Sequence, residues 1–248
     1  DNRLQVCFFS ATLQSPAITE LSKNICSRPT WVDLKGVDAV PDTVHHVAYR
    51  VNLARDKRLV QSKNKEDGAK RTPSIIDDAS IPGAKDGSED ADSTLLKQVK
   101  QQVLLGIIDA FEMTQCMIFC RTNLDCDNLE KFLVTHGGGQ RFNGSLESGP
   151  QSKYSCCVLA GMRSMDDRRV ALQAFKSGVV RFLICTDVAA RGIDVRGLPY
   201  MINMTLPDEP EPYMHRIGRV GRAGAMGLAI NIVAEENLRE RVWYHRCS

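Results

Sequence analysis

The stretch "RFLICTDVAARGIDV", Arg181 to Val195, decides the fold. After Arg181 comes a short, unbroken apolar run, the pattern of a parallel strand covered by helices on both faces. The apolarity then stops at once, and Thr186, Asp187, Arg191 and Asp194 follow. In an open α/β sheet, ligands are held at the carboxyl ends of such strands.

Outward from this stretch the chain alternates regularly. The pattern predicts helix Leu95–Phe111, strand Cys116–Cys120, helix Leu124–Thr135, strand Tyr154–Leu159, helix Asp166–Lys176 and strand Arg181–Cys185. It continues with strand Tyr200–Met204, a short helix near Tyr213–Val220, strand Leu228–Val233 and a closing helix from Glu235. Runs such as "MIFC" and "YMINM" are continuous and apolar, so the expectation is a doubly wound, mostly parallel α/β sheet.

Before that alternation lie a strand at Leu4–Phe9, a helix at Ser15–Ile25 and a strand at Trp31–Leu34, one βαβ unit and too little to bury a core alone. The chain is therefore expected to begin inside a domain whose earlier part lies outside it. From Asp56 to Thr94, Gly, Pro, Ser and mixed charge leave few large apolar residues, the composition of a disordered insertion. His136–Lys153 reads as a second soft patch, too long for a tight connection.

Composition excludes several classes. Of 248 residues, 43% are hydrophobic and 25% charged, an ordinary balance for a globular protein with a core and no reason to invoke a membrane. The net charge of +2 confines any nucleic-acid site to local clusters of Lys and Arg. Several of the 9 cysteines sit in strand-like runs, where Cys acts as a small hydrophobe, and a reducing compartment is expected. No C-x-x-C and no zinc spacing occurs, so no metal site is expected in this chain. The opening "DNRLQVCFF" has no secretory pattern.

"YMHRIGRVGRAG", Tyr213 to Gly224, spaces Arg216, Arg219 and Arg222 three residues apart. On a continuous helix this puts successive arginines only about 60° apart, on one face with His215 beside them. Gly218 and Gly221 within that helix would cost about 1 kcal/mol each. Close approach to a polyanion would offset the cost, because Arg makes bidentate contacts to phosphate. A solvated basic face is the plainer alternative; the matched glycine spacing favours the polyanion. Within the opening stretch, Thr186 offers a hydroxyl to a phosphate, Asp187 and Asp194 can accept from hydroxyls such as ribose, and Arg191 adds a fixed cation, with an N-cap or a surface ion pair as the alternative for each, above all for Asp187. "FFSATL" puts Ser10 and Thr12 after the first expected strand. In "RSMDDRRVALQAF", Arg168 enters a helix behind the acidic pair Asp166 and Asp167.

Taken in order, "SAT", "IFCRT", "TDVAARGID" and "HRIGRVGR" resemble the DEAD-box family of superfamily-two RNA helicases, over all but the two soft patches. The resemblance implies the tail of a first RecA-like domain at residues 1–38, a linker with a charged insertion at 39–94, and a second RecA-like helicase domain at 95–248. "PTWVDLKG", "VPDTVHHV", "RTNLDCDNLE" and "VWYH" resemble the branch that carries a SPRY domain inserted in its first RecA-like domain. By this likeness Arg219 and Arg222 are arginine fingers for ATP hydrolysis, Asp194 binds the ribose of ATP, and Arg191 and His215 help close the interdomain cleft. Thr186, Arg168 and Thr122 hold RNA, while Ser10 and Thr12 couple hydrolysis to strand separation.

The implied partners are RNA and the first RecA-like domain of the same protein, with no membrane. No G-x-x-x-x-G-K-[ST] loop and no D-E-A-D occurs in these residues, so the phosphate cradle and Mg²⁺ are assigned to that first domain. The implied location is the nucleus or the cytoplasm. One segment departs from the family: Ala160-Gly161-Met162 stands where His-Gly-Asp is usual, and Met165 where Gln is usual. An RNA-binding scaffold without ATPase activity is the rival reading, and a DNA helicase of the same superfamily a third.

Overall fold

In the computed structural model the described residues are 6–8, 16–26, 28–30, 32, 43–60, 87–146, 150, 152–221 and 225–235. Ser10, Thr12, Arg222 and the closing helix from Glu235 lie outside them, as do most of the strands expected at Leu4–Phe9 and Trp31–Leu34; residues 6–8 carry no regular structure. Two compact units divide at Val40 and Pro41. In the first, helix α1 (Pro16–Ile25) matches the expected helix and bends one hydroxyl back, Ser22 Oγ donating to the Thr19 carbonyl at 2.8 Å.

The second unit is built on six parallel strands: β1 (Val44–Val51), β2 (Cys116–Phe119), β3 (Cys156–Leu159), β4 (Phe182–Cys185), β5 (Tyr200–Asn203) and β6 (Gly227–Ala234). Their spatial order is β1-β6-β5-β2-β4-β3. The helices are α2 (Leu53–Asp56), α3 (Gly87–Ala110), α4 (Asn123–Gly137), α5 (Met165–Lys176), α6 (Asp187–Ala190) and α7 (Pro210–Ile217). Among the described residues no helix is long and apolar enough to cross a membrane.

Strand side chains alternate between faces, and the register sorts them. Cys116, Phe182 and Cys156 are level with one another. With Ile118, Ile184, Ile202 and Ile230 they pack under Val99, Val103, Leu104 and Ile108 of α3 and Leu129 and Phe132 of α4. The opposite phase, from Met117 to Phe119 and Asn203, lies under α5 and α7: Cys157 Sγ approaches the Ala171 carbonyl at 3.5 Å, and the Arg216 guanidinium lies 4.9 Å from the centre of the Phe119 ring. Burial pushes the thiols of Cys116, Cys156, Cys157 and Cys185 well above the ordinary 9.0, so these cysteines serve as core.

Two segments correct the sequence reading. Val44–Val51 falls in the stretch expected to be linker, yet it is β1, paired along its whole length with β6. It is an edge strand, half exposed, with His45, His46 and Arg50 interrupting the apolar pattern. Helix α3 runs 24 residues and begins at Gly87, inside the stretch expected to be disordered.

Gly221 and Gly227 join the end of "HRIGRVG" to the sheet. Gly221 has φ +54, and a Cβ there would lie 2.7 Å from the Thr43 carbonyl oxygen; a Cβ on Gly227 would meet Val220 Cγ1 at 2.2 Å. Gly221 thus serves a close approach of backbone to backbone within this unit. Gly106, exposed within α3, has nothing within 4 Å of its Cβ position. Gly221→Ala is expected to lower unfolding free energy by about 2 kcal/mol or more, through left-handed strain and overpacking. Gly106→Ala is expected to raise it by roughly 0.5–1 kcal/mol. Urea unfolding of the two variants measures both signs.

Candidate functional site

Three adjacent strands, β2, β4 and β3, end on the same edge, and each is followed by a capped helix. Thr122 caps α4 in a reciprocal box: its Oγ1 accepts from the Asp125 amide at 3.1 Å, and its own backbone N–H donates to Asp125 Oδ2 at 2.9 Å. Ser164 caps α5, accepting from the Asp167 amide at 3.1 Å. Thr186 caps α6, its buried Oγ1 accepting from the Ala189 amide at 3.5 Å. Arg168 reaches across from α5, Nη2 donating to the Ala189 carbonyl at 3.3 Å. Its Nε is buried without a hydrogen-bond partner among the described residues.

The expected RNA residues Thr122, Thr186 and Arg168 therefore share the carboxyl edge of the sheet. Both threonine hydroxyls already have work as caps, the alternative the sequence left open for Thr186. The departure "LAGMRSM" lies on the same edge. Ala160 is buried, whereas Met162 is 84% and Met165 76% exposed, so two thioethers project where the family pattern has polar groups. Met165 Sδ sits 3.7 Å from Arg168 Nη1.

The expected nucleotide residues are elsewhere. Helix α7 ends at Ile217, and Gly218 caps it in a right-handed conformation. The next residues turn to pair with the segment before β5: Leu198 N donates to the Arg219 carbonyl at 3.0 Å, and Gly221 N to the Leu198 carbonyl at 3.2 Å. Arg219 and Asp194 therefore flank the amino-terminal side of β5, not the carboxyl edge the sequence suggested for the whole motif. Arg219 Nη1 donates to the Ile193 carbonyl at 2.7 Å, which sets the guanidinium beside the residue preceding Asp194. Asp194 is exposed, with Lys176 Nζ at 3.5 Å and Arg196 Nε at 3.7 Å. Arg191 is exposed at the end of α6, and His215 is half-buried on α7.

Arg216 corrects the reading of one shared basic face. It is only 3% exposed. Its Nε and Nη2 grip Asp187 Oδ1 and Oδ2 at 2.6 and 2.8 Å, while Nη1 donates to Asn203 Oδ1 at 2.6 Å and the Thr205 carbonyl at 2.7 Å. A planar guanidinium matches a carboxylate in this two-pronged way. The helix stops before Arg219, so the two side chains part: Arg216 points into the fold and Arg219 stays half-buried at its rim. The sequence left an ion pair open for Asp187 but not its buried partner, Arg216. The available signal was Asn203, a polar residue inside the apolar run "YMINM".

The sequence has known relatives. The family model of the helicase conserved C-terminal domain matches residues 99–224, just over half of the chain. Among curated proteins, the ATP-dependent RNA helicase DDX1 of Xenopus laevis is 49% identical over 248 residues, covering 99% of this chain and 32% of its own length. A probable ATP-dependent RNA helicase ddx1 of Dictyostelium discoideum is 45% identical over 246 residues, covering 98% of this chain and 31% of its own. The chain thus spans about a third of the length of these relatives. Among solved structures, a DEAD box protein from Methanococcus jannaschii is 31% identical with a TM-score of 0.48, over 61% of this chain and 37% of that one. S. cerevisiae Dbp5 bound to RNA and ADP BeF3 is 26% identical with a TM-score of 0.49, over 60% and 35%. The chain belongs to the helicase conserved C-terminal domain family, and the relatives it matches at 45–49% identity are named ATP-dependent RNA helicases.

Removing Arg216 would strand a carboxylate, an amide oxygen and the Thr205 carbonyl inside the fold, whereas at the half-buried rim water can take over the Arg219 contact to the Ile193 carbonyl. Arg216→Ala is expected to cost about 3–5 kcal/mol of stability. Arg219→Ala is expected to cost roughly 1 kcal/mol or less. Denaturant midpoints of the two variants, taken with their slopes, test the difference.

Proposed function

We propose that this chain is the carboxyl-terminal part of an ATP-dependent RNA helicase, hydrolysing ATP only together with a preceding RecA-like domain. The observation that carries the reading is the fixing of Arg219 against the Ile193 carbonyl, next to the exposed carboxylate of Asp194. A rigid cation beside an acceptor suits the phosphates and ribose of one nucleotide, and the residues present fit ATP in that sense. In this assignment Arg219 and Arg222 act as arginine fingers, Asp194 accepts from the ribose hydroxyls, and Arg191 and His215 line the closing cleft. Such fingers stabilise charge that develops on the transferred phosphoryl group.

ATP, when bound, supplies the hydrolysable phosphoanhydride; Mg²⁺ belongs with the acidic residues of the preceding domain. Residues 1–38 are assigned to the tail of that domain, with Ser10 and Thr12 coupling its closure to RNA. Its SPRY-bearing form and a nuclear or cytoplasmic location complete the proposal.

On the carboxyl edge, Thr186, Arg168 and Thr122 would face RNA phosphates, and the buried Arg168 Nε without a partner supports a ligand there. Contacts of this kind give little sequence preference. The exposed Met162 and Met165 favour a second reading, an RNA-binding scaffold that keeps the fold without ATPase activity.

The test is RNA-stimulated ATP hydrolysis by the full-length protein, by this chain alone, and by full-length protein carrying Arg219→Ala or Arg222→Ala. Turnover by the unmutated full-length protein, no turnover by the chain alone, and a fall of about 10³-fold or more in each variant are expected. Variants that match the wild type would remove the finger assignment. An inactive full-length protein that still binds RNA would establish the scaffold.

A further inference from the structure

The Arg216 clamp does not end at Asn203. Asn203 Nδ2 donates to Asn231 Oδ1 on β6 at 2.7 Å, and both residues are buried within the sheet. Asn231 Nδ2 reaches the Tyr213 hydroxyl on α7 at 3.1 Å and the Val47 carbonyl on β1 at 3.2 Å. The Tyr213 hydroxyl lies 2.8 Å from His46 Nδ1 on β1, with the two rings stacked at 5.8 Å between centres. A chain of polar groups thus crosses three adjacent strands, from the edge strand to the helix that follows "RFLICT".

Its direction is fixed from both sides. A guanidinium only donates, so Asn203 must turn its oxygen to Arg216 and its amide to Asn231. The Val47 carbonyl only accepts, so Asn231 must turn its amide the same way, independently of Arg216. The Tyr213 oxygen then accepts from Asn231, and its own proton has an acceptor at His46 Nδ1, 2.8 Å away. That nitrogen can accept only in the neutral imidazole.

We propose that His46, Tyr213 and Asn231 are positioning residues: they hold Asn203 in the one orientation that receives Arg216, and thereby keep Arg216 on Asp187 and the segment carrying Arg219 in register. Protonated His46 would bring a donor to a hydroxyl whose proton already points at it, and the chain would lose its terminal acceptor. The groups facing His46 agree with the neutral form. His45 is its neighbour on β1 and Tyr213 its partner on α7. Burial first, and His45 second, hold His46 below its ordinary 6.5. The sign follows: the contribution of neutral His46 is complete above the unfolded value and is lost as pH falls through the lower folded one.

The proposal rests on the helicase reading for its effect on catalysis, so two readouts are taken on the full-length protein. The first is RNA-stimulated ATPase from pH 5 to 8 for wild type, Tyr213→Phe and His46→Gln. Tyr213→Phe is expected to lower kcat about three- to tenfold with KM for ATP within about twofold, since a positioned transition-state contact is weakened while binding is not. His46→Gln keeps an acceptor that does not titrate; it is expected to follow the wild type near pH 8 and to lack the wild type's loss on the acid side. The second readout is melting temperature over the same range, which needs no turnover: the wild type should lose stability below about pH 6.5 more steeply than His46→Gln. Parallel melting curves for these two proteins would overturn the chain's polarity. A Tyr213→Phe enzyme with wild-type kcat would overturn its positioning role. A wild type without ATPase would sink the helicase reading, and the melting curves would still decide the chain. Should Tyr213→Phe fail to fold, Asn231→Asp replaces it. Its carboxylate still accepts from Asn203 but has nothing to donate to Tyr213, so the same fall in kcat is expected.

Discussion

A guanidinium at the heart of a parallel sheet must have its donors met, and in this protein meeting them dictates much else. Arg216 is 3% exposed and comes from α7. Its partners come from α6, the end of β5 and the residue two positions beyond that strand, and the Phe119 ring of β2 closes its face. A buried charge short of partners costs several kcal/mol, so these elements are bound to one arrangement. The short helix α6, only four residues long, has little stability of its own and is held largely from outside.

Both edges of the sheet depend on that arrangement. On one side α6 presents Thr186 and the carbonyl that Arg168 touches; on the other the same segment runs on to Ile193 and Asp194, against Arg219. A single buried residue thus sets the spacing between the face assigned to RNA and the rim assigned to the nucleotide.

Much of this was legible in the residues. The central strands announce themselves as "MIFC", "RFLIC" and "YMINM", because burial on both faces leaves no alternation to confuse. Strand β1 was not legible, since an edge strand half exposed to solvent carries His45, His46 and Arg50 among its apolar residues. The early start of α3 was hidden by a composition rich in Ser, Asp and Glu, which serves a helix beginning as well as a disordered loop. The three arginines were legible as a set but not as two kinds. Helical periodicity carried past Ile217 places Arg216 and Arg219 together, while the real chain turns at Gly218 and separates them. The fate of Arg216 depends on Asp187, 29 residues earlier, and on two asparagines in neighbouring strands. Local pattern carries no trace of such pairings.

The claim that Arg216 and Asp187 act as one unit is tested most directly by a double-mutant cycle of unfolding free energies, with Arg216→Met, Asp187→Asn and both together. Coupling of about 2 kcal/mol or more between the two sites is the expected result for a buried two-pronged pair. Additive effects, within about 0.5 kcal/mol, would contradict it and return Arg216 to the role of an ordinary core residue.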